Sequence, residues 1–155
     1  MVIQRWQSVL LFIAALAMAA FTFMSLGQVQ LPEYSLNFTT LGFCIEGETT
    51  GGQSGFYMQT LPFFIVSLMS VIIPLIDIFL FKNMRLQKTL CLIELLFLFA
   101  TIAVGAVYGY STFVGFNVSW SSLVIAPFLA FIAIVMAYTR ISSDERLLRS
   151  ADRLR

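Results

Sequence analysis

Four long apolar runs decide which solvent this chain folds in. They are Val9–Leu26, Leu61–Phe81, Leu90–Tyr110 and Trp120–Tyr138. The hydrocarbon core of a bilayer is about 30 Å thick and takes about 20 apolar residues of helix to cross. Only Asp77 and Glu94 put an ionisable side chain inside these runs, and Pro62, Pro74 and Pro127 are their only prolines. Backbone amides have no water to bond in lipid, so each run is expected to be a helix. Composition agrees: 11% of residues are charged, against about 25% in soluble domains. The expected fold class is all-α. It is a four-helix transmembrane bundle in a single domain, with helices near 7–27, 60–82, 87–110 and 120–140. The first run also resembles a signal peptide, with Ala17-Met18-Ala19 as a small-residue cleavage site. The apolar stretch continues to Leu26, past that site, so an uncleaved helix is the expectation.

The cations set the expected orientation. The nine basic residues fall before the first helix (Arg5), between the second and third (Lys82, Arg85, Lys88), and after the fourth (Arg140, Arg146, Arg149, Arg153, Arg155). The connections 28–59 and 111–119 hold none. The positive-inside bias then places both termini in the cytoplasm. Trp6 and Tyr138 fall at the inner boundary, and Tyr108, Tyr110 and Trp120 at the outer one, where amphipathic rings are enriched. Cys44 and Cys91 are assigned to opposite ends of the bundle and are not expected to form a disulfide.

The long outer connection carries a different period. Tyr34, Leu36 and Phe38, then Leu41, Phe43 and Ile45, alternate with polar neighbours, which reads as short strands with a turn or bulge at Thr39-Thr40. Phe56-Tyr57-Met58 is placed to pair back after a turn-rich break, and Phe116, Val118 and Trp120 supply a matching fragment. A small extracytoplasmic antiparallel β element is expected to cap the bundle.

Helix association in lipid relies on close approach through small residues. Ala126, Ala130, Ala133 and Ala137 form one such stripe; Thr101, Gly105 and Gly109 form another, and Ala15 and Ala19 a shorter one. Asp77 and Glu94 are the candidate intramembrane polar pair. Each lies about 7–9 Å inside the basic link at 1.5 Å per residue. They could face each other on antiparallel helices, with Lys82, Arg85 or Lys88 reaching toward them. A salt-bridge cluster is the plainer reading and a proton or cation path the functional one. Beyond the pair, the helices read as mostly Leu, Ile, Phe and Val.

Catalytic patterns are missing. There is no histidine, no pair of cysteines at ligand spacing and no phosphate-binding glycine loop. An enzyme is not expected, nor a cofactor, a metal or a nucleic-acid partner. The tail 141–155 reads as an amphipathic cytoplasmic helix starting near Asp144 and capped by Ser142 or Ser143. Leu147, Leu148, Ala151 and Leu154 share one face, opposite an arginine stripe of Arg146, Arg149 and Arg153. That stripe is the candidate docking site for a protein partner, with the lipid surface as the alternative support.

Three stretches, "MVIQRWQ", "FLFKNMRLQKTLC" and "DERLLRSADRLR", are similar in order and spacing to a family of small four-helix membrane proteins of Bacteroidota, described only as a domain of unknown function (DUF4293). The resemblance implies a bacterial inner-membrane protein and carries no catalytic residues. The expectation is an accessory or scaffold subunit presenting a basic cytoplasmic surface to a partner complex. The rival is a small transporter or ion-conducting protein using Asp77 and Glu94.

Overall fold

A computed structural model describes residues 3–30, 35–46, 56–80, 83–113 and 118–152. The first run holds no glycine or proline, and its helix α1 spans Ile3–Phe23 without interruption. Helix α2, Leu61–Phe79, carries Pro62 in its first turn, where a missing N–H costs nothing, and continues through Pro74. Helix α3 spans Met84–Phe113. A 3-10 turn at Ser122–Ile125 leads into helix α4, Ala126–Asp152. The Ser121 side chain accepts from the Leu123 N–H at 3.4 Å and caps that turn. All four helices are long and apolar enough to cross a membrane.

The helices close a ring in chain order, with α1 against α2, α2 against α3, α3 against α4, and α4 back against α1. Helices α1 and α4 are in contact, and of the expected α1 stripe Ala15 is buried while Ala19 is half-buried. Ala14, Ala15, Ala126, Ala130, Ala133 and Ala137 are all buried, with Met18 and Ile134 filling between them. Outward faces carry Phe12, Leu16, Ile65, Leu96, Phe99 and Ile132, which are exposed and suited to lipid. Burial in α1 covers Ala14, Ala15 and Met18, so the segment that resembles a signal peptide contributes core residues to the bundle.

The expected small antiparallel β element has five strands among the described residues. They are β1 (Gly27–Gln30), β2 (Ser35–Thr39), β3 (Gly42–Glu46), β4 (Phe56–Gln59) and β5 (Val118–Trp120). The order is β4-β3-β2-β1-β5, and every pair is antiparallel. The chain is therefore mostly helical with a small antiparallel sheet. The turn expected at Thr39-Thr40 sits between β2 and β3, whose register pairs Phe38 with Phe43 and Thr39 with Gly42. Gly42 has φ +150°, and a Cβ there would press on the Met58 carbonyl, so only glycine suits that position. Tyr34 and Phe116, read as strand residues, lie outside the described residues.

Two devices join sheet to bundle. Phe38 stacks on Phe43 at 4.7 Å and on Phe63 of α2 at 6.0 Å, while Phe21 of α1 meets Phe63 edge-on at 6.0 Å. Beside this aromatic column runs a chain of buried hydroxyls. Thr60 donates to the Thr40 carbonyl (2.9 Å), Thr40 to the Thr22 carbonyl (2.6 Å), and Thr22 to the Met18 carbonyl (2.7 Å). The bond from Thr40 satisfies the Thr22 carbonyl, one of those that the end of α1 leaves without a partner in the helix.

Candidate functional site

Two arrangements stand out, one at the end of the bundle remote from the sheet and one inside it. At the remote end, α4 does not stop at Tyr138. Residues 138–144 hold no glycine or proline, Thr139 donates back to the Met136 carbonyl at 2.8 Å, and Ile141 is fully buried. The tail is thus a straight continuation of α4. This corrects the expectation of a separate helix capped by Ser142 or Ser143, because no chain break exposes N–H groups for them to cap.

Side chains tie this extension to its neighbours. Gln7 of α1 donates to Asp144, and Lys88 of α3 pairs with Glu145 at 2.9 Å. The Lys88 ammonium also lies 5.8 Å from the centre of the Tyr138 ring. Asp144 and Glu145 are therefore engaged by the neighbouring helices, and the Asp152 side chain lies outside the described residues. Arg85, Arg140 and Arg146 are exposed. Of the expected arginine stripe, Arg146 fits the outward placement; the side chain of Arg149, and Arg153 altogether, lie outside the described residues. The Arg5 side chain and Lys82 lie outside them too.

Inside the bundle, α2 and α3 meet along complementary seams. On α2 the buried positions include Phe63, Ser67, Ser70, Pro74 and Asp77; on α3 they include Cys91, Glu94, Leu98 and Thr101, with Gly105 next in the series. Both series step by three and four residues, the repeat that keeps side chains on one helix face. Two contacts fix the register. The Cys91 thiol donates to Asp77 Oδ2 at 3.2 Å, and a Cβ on Gly105 would lie 3.0 Å from the Phe63 ring. Antiparallel alignment between those points sets Pro74 level with Glu94, Ser70 with Leu98, and Ser67 with Thr101.

Asp77 and Glu94 are each 1% exposed. Glu94 lies one helical turn from the cysteine that touches Asp77. Among the described residues the salt-bridge cluster expected around the two acids is not formed; Lys82, also expected there, lies outside the described residues. Lys88 is engaged by Glu145, and Arg85 is exposed. Neither Glu94 oxygen has a hydrogen-bond partner, nor does Asp77 Oδ1 or the fully buried Ser70 hydroxyl. Gln87 instead donates to the Asp77 main-chain carbonyl at 3.4 Å. Pro74 has no N–H to give the carbonyl four residues back, which is that of Ser70.

Beyond the acids α2 and α3 are mostly Leu, Ile, Phe and Val, but Ser67, Ser70 and Thr101 are fully buried among them. The stripe Thr101, Gly105 and Gly109 does not admit another helix backbone. It lines a pocket of about 800 Å³ shared with Trp120, Pro127 and Phe128, and its glycines accept the rings of Phe63 and Trp120. The pocket lies on the sheet side of the seam, with Thr101 in its wall. A periodicity count limited to hydroxyl residues on the buried face of α2 would have revealed Ser67 and Ser70.

No curated protein matches this chain. Residues 3–154, nearly the whole chain, match the model of a family described as a domain of unknown function (DUF4293), and the chain belongs to that family.

Proposed function

We propose that the protein is an accessory or scaffold subunit of a bacterial inner membrane, of Bacteroidota type. Both termini would be cytoplasmic, and a basic surface would be presented to an anionic partner complex. One observation carries this reading: Asp144 and Glu145 are occupied by Gln7 and Lys88, while Arg140 and Arg146 are exposed. The cytoplasmic placement is supported by the segregation of all nine cations onto one side of a four-span topology. Because α4 is continuous, the surface is held rigidly on a membrane-embedded base. A photo-crosslinking residue at Arg146 in cells tests the idea. A discrete anionic partner is expected to crosslink there and to be lost in Arg140→Glu and Arg146→Glu. Crosslinking only to lipid, unchanged by charge reversal, refutes it.

A second reading, a small ion- or proton-handling membrane protein built on Asp77 and Glu94, is favoured by the buried polar seam and its unpartnered carboxyl oxygens. Its first test is solute-dependent flux in vesicles, abolished by Asp77→Asn or Glu94→Gln.

A further inference from the structure

Carboxylates at depth in a bundle are costly to ionise when nothing compensates the charge. The groups that could do so are few. From α2 the only ionisable neighbour is Asp77, itself an acid; α3 adds Cys91, whose thiol is given to Asp77. Lys88 lies further toward the remote end and is held by Glu145 of α4 and by the Tyr138 ring. Trp6–Phe23 of α1 contains no ionisable side chain. Glu94 therefore has a like-charged neighbour and no described cation.

A second, independent feature lies beside it. The Ser70 hydroxyl is 0% exposed and has no partner, and Pro74 removes the N–H that the Ser70 carbonyl would accept. Ser70 and Glu94 stand about one turn apart along the seam. From Ser70 the buried polar positions continue one turn to Ser67, which the register sets level with Thr101, and Thr101 borders the pocket. Ser67 and Thr101 each donate to a carbonyl of their own helix, at 2.9 Å in both cases. A hydroxyl has one donor and two acceptor positions, so each keeps acceptor capacity and can turn its proton toward the next group.

We propose that Glu94 is a buried proton-binding carboxyl, served from the sheet end of the bundle through the pocket and the hydroxyls of Thr101, Ser67 and Ser70. Proton uptake forms one O–H bond on the carboxylate, with the proton drawn from water at the pocket mouth; release reverses it. Asp77, bonded to Cys91 on the far side of Glu94, is the next acceptor toward the remote end. The site deepens the ion- or proton-handling reading and rests on it for its purpose. The occupancy of Glu94 by a proton is measurable without any transport.

The test is infrared spectroscopy of the full chain in lipid vesicles at neutral pH, as the difference between wild type and Glu94→Gln. Glutamine keeps the shape and neutrality of a protonated glutamate, and Glu94→Leu serves if the glutamine variant does not fold. A carbonyl band of a protonated carboxylic acid is expected in the wild type and lost in the variant. In heavy water it should shift, several-fold more slowly in Thr101→Val and Ser67→Ala. No such band, or a carboxylate band sensitive to sodium concentration, overturns the proton assignment. A band that never shifts in heavy water, or shifts at the same rate in both hydroxyl variants, overturns the route. Absence of flux with the band and its exchange intact removes the transport reading and leaves the proton site standing.

Discussion

The α1–α4 seam and the α2–α3 seam have nearly opposite characters. The first is built of alanines, with Ala130 and Ala137 both 0% exposed, and its polar bond, Gln7 to Asp144, lies at the remote end. The second spaces its buried positions just as regularly, yet fills them with Ser67, Ser70, Asp77, Cys91, Glu94 and Thr101. Lipid offers no hydrophobic drive between helices, so α1 and α4 adhere by close packing. A chain able to make that seam once could have made it twice. The polar seam leaves the Ser70 hydroxyl, Asp77 Oδ1 and both Glu94 oxygens without partners at buried positions, and the proposed proton site gives those groups a use.

The largest expected effect comes from Phe63, where the two regions and the sheet meet. Its ring contacts Phe21, Phe38 and the Gly105 position. Phe63→Ala should cost about 3 kcal/mol, the lower end for an aromatic cavity, because lipid gives the lost packing no further hydrophobic penalty. Unfolding of the purified protein in mixed micelles measures it. A loss confined to the sheet, with helix contacts intact, would break the idea that one ring couples all three regions.

On the alanine seam, Ala130→Leu should cost about 1–3 kcal/mol through overpacking. The same test on the polar seam should run the other way. Glu94→Leu replaces a buried acid lacking a partner and is expected to raise stability, by about 1 kcal/mol or more. If Ala130→Leu is tolerated and Glu94→Leu destabilises, the contrast between the seams is wrong, and Glu94 has a partner that holds the bundle together.

How much of this could be read from the residues follows from how local each signal is. The helices were legible because a run of apolar residues needs no partner to declare itself. Strands β2 and β3 were legible from the alternation of Leu36, Phe38, Phe43 and Ile45. Strand β1 was not, since "GQVQ" carries one large apolar side chain and draws its partners from residues 35–38 and 118–120. Ser67 and Ser70 were hidden for another reason. A serine in an apolar run acquires meaning only when the buried face is known, and Pro74 adds to it only beside Ser70. The inward turn of Asp144 and Glu145 depends on Gln7 and Lys88, far away in sequence.

That last pair gives the smallest expected effect and the sharpest test of what the remote end is for. Lys88 and Glu145 are 26% and 15% exposed, so their ion pair is only partly shielded and should contribute no more than about 1 kcal/mol. Lys88→Met should therefore barely move the unfolding midpoint. It would nevertheless release Glu145 beside Arg146 and reduce the positive character of the surface. If the pair exists to keep acids away from the arginines, partner crosslinking at position 146 should fall more in Lys88→Met than stability does, and return in Lys88→Met with Glu145→Gln. Equal loss in both variants would mean that Lys88 itself, and not the masking of Glu145, is what a partner reads.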